Sequence, residues 1–158
     1  MKRKLIILTA GAALTFFTVV WLTGSILTAP VNQPVGNLPP DLNGRPVQFT
    51  SASGARLHGW LLPGREGAGA VILMHGVRAN RLSMLDRARF LSDAGYSVML
   101  FDFQSHGEST GERITFGHLE NRDAQAAIDF LRAILPDEKI GVLGVSMVVP
   151  QLRWHHHH

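Results

Sequence analysis

Three short runs, Ala70 to Met74, Tyr96 to Phe103 and Lys139 to Leu143, are separated by stretches with helical periodicity. That alternation constrains the chain more than any other feature. The first two runs lack the apolar-polar alternation of a half-exposed strand, which marks strands covered on both faces. Between them, Arg81 to Ala94 spaces Met84, Leu85, Ala88 and Leu91 along a helical face, and Gly95 supplies a C-terminal cap. Before the third run, Gly117 to Leu135 carries Ala124, Ala127, Ile128, Leu131 and Leu135 at helical spacing and stops ahead of Pro136. Such an order implies right-handed βαβ units and a parallel sheet. Upstream, Val47 to Thr50 and Arg56 to Leu62 flank a Ser53-Gly54 turn and predict a hairpin. The fold class is α/β.

The N-terminus has a different character. From Leu5 to Ala29 there is no charged residue, and about 20 apolar residues suffice to cross a bilayer as a helix. Residues 1–29 therefore predict a signal anchor or a cleavable signal peptide. The length of the run favours the anchor, because signal cores span only about 7–15 residues. Lys2, Arg3 and Lys4 stay cytoplasmic by the positive-inside rule, so the remainder is expected on the far side of the plasma (inner) membrane, single-pass if anchored and exported if cleaved. Pro30, Pro34, Pro39, Pro40 and Pro46 give residues 30–46 the composition of a linker that resists regular structure. The net charge of +3 does not point to nucleic acid, since Asp41 to Pro150 carries all 12 acids and has a net charge of −1. The excess lies at the two ends.

The candidate chemistry gathers where strands end. In Gly144-Val145-Ser146 a serine directly follows a buried strand, at the carboxyl edge where α/β sites lie. A tight strand-to-helix turn there exposes the hydroxyl and requires small neighbours, and Gly144 meets that need while Val148 does not. His75-Gly76-Val77 follows the earlier central strand, where a backbone N–H can pair with that of Met147 as an oxyanion hole.

Taken together, three motifs carry a resemblance: His75-Gly76 after one strand, Phe101-Asp102-Phe103-Gln104-Ser105-His106-Gly107-Glu108-Ser109 after the next, and Gly144-Val145-Ser146-Met147. They resemble the α/β-hydrolase family, in particular its membrane-anchored or exported serine hydrolases of the Bem46-like and serine-aminopeptidase-like type. The resemblance covers residues 47–147. It implies Ser146 as nucleophile and the backbone N–H groups of Val77 and Met147 as the oxyanion hole. It also implies an eight-stranded sheet of which this chain holds about the first five strands. His75, Gly76, Asp102, His106 and Gly107 become structural loop residues, because the family's acid and histidine follow the serine in sequence. His58 reads as a strand residue and His118 as a helix-start residue, and no metal site or cofactor is expected.

After Met147 the chain departs from that pattern. Residues 148–158, with Pro150 and four closing histidines, are incompatible with the helix that follows a nucleophile elbow. In one back-translation, a single G restored after the Met147 codon turns the tail into Met-Gly-Gly-Ala-Ala-Thr-Ala-Leu-Ala, a glycine-rich elbow followed by a helix former. A frameshift near Val148 or a histidine tag on a fragment are the two origins considered. Either way the 158-residue chain is expected to lack the triad acid and histidine, to be inactive, and to expose an apolar sheet edge. The expected parent activity is hydrolysis of a carboxylic ester, thioester or amide through an acyl-enzyme. A peptidase of the aminopeptidase-like type and a non-enzymatic anchored fragment are the alternatives. The partners expected are a small acyl ester or peptide and the membrane.

Overall fold

The computed structural model describes residues 2–145. Its elements in chain order are α1 (Lys2–Thr28), β1 (Val31–Asn32), β2 (Arg45–Thr50), β3 (Arg56–Leu62), β4 (Ala70–Met74), α2 (Leu85–Asp93), β5 (Ser97–Phe101), β6 (His106–Gly107), α3 (Glu120–Ile134) and β7 (Ile140–Gly144). Five strands form one sheet in the order β2-β3-β5-β4-β7, antiparallel across β2, β3 and β5, then parallel from β5 through β4 to β7. The predicted hairpin and the parallel βαβ core are both present.

Side-chain alternation along the central strands divides the core into two layers. Ile72, Met74, Met99 and Phe101 join Ala124, Ala127, Ile128 and Leu131 of α3 on one face. Leu73, Val98 and Leu100 join Met84 and Ala88 on the other, against α2. Strands buried this way read as continuous apolar runs because each neighbouring residue meets a helix, on alternating sides. Gly95 ends α2 with φ +95°, and the Tyr96 N–H returns to the Leu91 carbonyl at 3.1 Å, so the predicted cap is present.

Two segments differ from expectation. The start of the first predicted helix, Arg81–Met84, is a single 3-10 turn capped by the Asn80 side chain, which accepts from the Leu82 N–H. It is tightened because the Arg81 backbone N–H is drawn to the Asp102 carboxylate at 2.7 Å. The Pro-rich stretch 30–46, read as a linker resisting regular structure, packs on the domain. The Val31 and Gln33 N–H groups donate to the Ser105 and Gly107 carbonyls, forming a short parallel pair between β1 and β6, and Leu42 is buried with Trp60 and Leu62. Prolines remove donors, but those at 30 and 34 leave Val31 and Gln33 free to bond.

The N-terminal helix is unlike the rest. Thr9–Thr28 is 20 residues with mean hydropathy 1.7, long and apolar enough to cross a membrane, and none of it packs inside the domain. Its last turn touches the folded part: the Ile114 N–H donates to the Thr28 carbonyl at 2.8 Å, and Arg78 Nη1 to the Ile26 carbonyl at 3.3 Å.

Candidate active site

Met74, Phe101 and Gly144 end the three parallel strands at one edge of the sheet. After Met74 the chain makes a tight turn, closed by the Ala79 N–H on the Gly76 carbonyl at 3.2 Å. Arg78 takes φ +59°, the left-handed conformation that the third position of a type II turn requires. The Val77 backbone N–H has no acceptor among the described residues. Val145, which precedes Ser146 in sequence, donates its N–H to the Met74 carbonyl at 3.0 Å. The strand leading to Ser146 thus runs to the start of the Val77 turn. Ser146, Met147 and the tail 148–158 lie outside the described residues.

The histidines at this edge are structural. His75 is wholly buried; its Nε2 accepts the Phe103 N–H at 3.1 Å, which leaves Nδ1 as the donor to the Gly76 carbonyl at 2.8 Å. Burial pushes its pKa down to about 4, so the ring is neutral near pH 7. His106 repeats the arrangement, accepting the Arg78 N–H on Nε2 at 3.1 Å and donating from Nδ1 to the Gln104 carbonyl at 2.7 Å, and burial again lowers its pKa. The two rings stand 5.0 Å apart. With both nitrogens engaged, neither ring is free to act as a base toward a serine.

Asp102 anchors the edge by other means. Its carboxylate accepts the Arg81 backbone N–H at 2.7 Å and the Glu108 N–H at 3.0 Å, and it pairs with the Arg81 guanidinium. It makes no hydrogen bond to His106, so a charge-relay pair of Asp102 and His106 is absent. Burial pushes the Asp102 pKa up, opposed by Arg81. The other arm of Arg81 pairs with Glu108, and the guanidinium carbon lies 4.3 Å over the Trp60 ring. Glu108 also accepts the N–H groups of Val35 and Gly36, tying the loop to the Pro-rich stretch. Gly107 adopts φ +48° with its α-carbon against the Asp102 carboxylate, where a Cβ would collide. Only glycine meets both conditions.

Sequence reasoning assigned Asp102, His106, Gly107, His75 and Gly76 to loop structure, and the structure brings these five together. His58 lies in β3 and His118 just before α3, where its N–H bonds the Thr115 carbonyl. Not singled out from the sequence were Arg81, the first residue of its predicted helix, and the inward acids of α3. Glu120 accepts the N–H groups of Thr115 and Gly117, and Asp123 accepts from Ser53 Oγ and the Gln104 N–H. The available signal was position: Asp123 and Glu120 share the α3 face of Ala124, Ala127 and Ile128, where an acid must be bonded to be buried.

The fold and this edge are those of the α/β-hydrolase class. The family model described as serine aminopeptidase, S33, matches residues 65–147, and the chain belongs to that α/β-hydrolase family. It is 30% identical over 125 residues to the Salmonella typhimurium protein YfhR, itself described as uncharacterized, covering 75% of this chain and 41% of YfhR. Among solved structures, the Pyrococcus furiosus esterase Pf2001 superposes with a TM-score of 0.68 at 31% identity, covering 75% of this chain and 49% of the esterase. A putative α/β hydrolase of unknown function from Agrobacterium tumefaciens gives a TM-score of 0.59 at 29% identity, covering 65% of this chain and 50% of that protein. The chain thus spans about half or less of the length of the proteins it matches.

Proposed function

We propose that the chain carries the amino-terminal part of a serine hydrolase cleaving carboxylic esters at Ser146, with the backbone N–H groups of Val77 and Met147 holding the oxyanion and no cofactor. The Ser146 hydroxyl oxygen attacks the ester carbonyl carbon, the carbon–oxygen bond to the alcohol breaks, and the hydroxyl proton leaves with the alcohol through a general base. Water then releases the acid from the acyl-serine. One observation carries this reading: the Val77 N–H has no acceptor among the described residues and begins the turn at the strand end to which Val145 is bonded. A donor with no acceptor among the described residues, in a turn closed by the Ala79 N–H on the Gly76 carbonyl, suits a developing oxyanion.

The base is neither His75 nor His106, because both nitrogens of each ring are already engaged. The 158-residue chain alone is therefore proposed to be a poor catalyst; loss of a triad member costs roughly 10⁴-fold in rate. The esterase resemblance supports an ester over a peptide bond, and the family model's name supports the aminopeptidase-like alternative. Hydrolysis of a nitrophenyl ester against an aminoacyl nitroanilide separates them. α1 is proposed as an uncleaved membrane anchor with Lys2, Arg3 and Lys4 cytoplasmic and the sheet on the opposite side.

The test is to sequence the encoding DNA through and beyond the Gly144 codon, and then to react the expressed protein with a fluorophosphonate. A frame supplying a downstream acid and histidine, with labelling abolished by Ser146→Ala, is the expected result. Labelling that survives Ser146→Ala, or brisk ester turnover by the 158-residue chain, overturns the reading.

A further inference from the structure

No spacer separates the apolar helix from the candidate active-site edge. The 20 residues Thr9–Thr28 of α1 rise about 30 Å, the thickness of a bilayer's hydrocarbon core. The last of them, Thr28, is itself the acceptor for the Ile114 N–H. If the span fills the hydrocarbon layer, Ile114 must lie at its surface, together with Arg78, whose guanidinium reaches the Ile26 carbonyl two residues, about 3 Å, further back along the helix. A cation bonded to a carbonyl in the last turn of an apolar helix stands at the end of the span, where the helix dipole is negative and lipid phosphates lie.

The neighbouring loop carries a second, independent sign. Phe116 is 52% exposed and takes φ +49°, a costly conformation for an aromatic residue, in a turn that the Glu120 carboxylate holds through the Thr115 and Gly117 N–H groups. Arg113 is exposed two residues before Thr115, and Glu112 beside it is the one acid of the exposed stretch 110–113. Aromatic rings and arginines favour the headgroup layer, where one end of each group is apolar and the other wet or phosphate-bound.

We propose that the carboxyl edge of the sheet rests on the phospholipid headgroup layer, with Arg78, Arg113 and Phe116 as its contact surface, so that the Val77 turn of the proposed hydrolase site faces the membrane surface. This rests on the anchor reading of α1. The substrate that such a site meets first is an amphiphilic ester held in the leaflet rather than one diffusing freely in water.

The chain has no cysteine, so single labels can be introduced cleanly. The full chain is reconstituted in phosphatidylcholine–phosphatidylglycerol vesicles with a fluorophore on V19C in α1, E112C beside the proposed contact, or E66C in the β3–β4 connection at the opposite edge. Quenching by acyl-chain spin-labelled lipid at position 19, and several-fold stronger quenching by headgroup-labelled lipid at 112 than at 66, is the expected result. Equal quenching at 112 and 66 with position 19 quenched overturns the docked edge and leaves the anchor standing. An unquenched label at 19 overturns the anchor, and the docked edge with it. In the R113A/F116S chain the signal at 112 is expected to fall while that at 19 holds; an unchanged signal at 112 overturns the assignment of these side chains as the contact.

Discussion

β5 and β7 flank β4 in the same parallel register, so that Leu73 faces Leu100 on one side and Leu143 on the other. All five residues of β5 are buried and none of β7 is; Leu100 is 0% exposed and Leu143 42%. Backbone pairing is therefore not what buries a strand here. β5 has β3 beyond it and helices on both faces, whereas β7 pairs with β4 alone among the described strands and meets part of α3. The candidate active site spans that boundary. Its oxyanion turn and polar loop belong to the well-packed side, and the strand leading to Ser146 belongs to the thinly covered one.

The sharpest way to probe the packed side is Asp102→Ala, which leaves the Arg81 guanidinium buried without one of its two carboxylate partners. Urea unfolding should report a loss of roughly 3–5 kcal/mol. Leu100→Ala should cost about 3 kcal/mol through its cavity, and Leu143→Ala under about 1 kcal/mol because its side chain already meets solvent. Equal costs for the two leucines would break the comparison. His75 supplies a pH signature. Its folded pKa of about 4 lies below the unfolded 6.5, so its stabilising effect is full above pH 6.5 and is lost as the pH falls toward 4. The loss amounts to roughly 3 kcal/mol. The raised Asp102 and Asp123 act in the opposite sense in the acid range, so the quantity to read is the slope between pH 6.5 and 4 in the parent minus that in His75→Asn. The slope should be shallower in the variant. Gly107→Ala, which forces a side chain into a left-handed position against Asp102, should cost about 2 kcal/mol, measured the same way.

What was legible in the sequence was whatever repeats over short distances. Ala70 to Met74 and Ser97 to Phe101 announce themselves because every residue is apolar or small. Leu131 and Ile128 announce α3 by their spacing. His75, Asp102 and His106 were marked as loop supports by the family resemblance that their motifs carry, in which the acid and histidine follow the serine. What stayed hidden depends on partners far along the chain. Arg81 looks like a surface cation until Asp102 and Glu108, more than 20 residues later, close around it. Val31 and Asn32 look like linker until Ser105 and Gly107 supply carbonyls some 75 residues away. No periodicity encodes such encounters.

The short pairing of β1 with β6 has a mechanical consequence. Val31 and Gln33 grip Ser105 and Gly107, Asn32 Nδ2 bonds the Ser109 carbonyl at 2.6 Å, and Glu108 holds Val35 and Gly36. A pull along the chain from α1 would load the two strand bonds in shear, together rather than one after another. The stretch that follows the apolar helix therefore passes tension into the loop that Asp102 and Arg81 brace, and through the His106 ring to the Arg78 N–H of the Val77 turn.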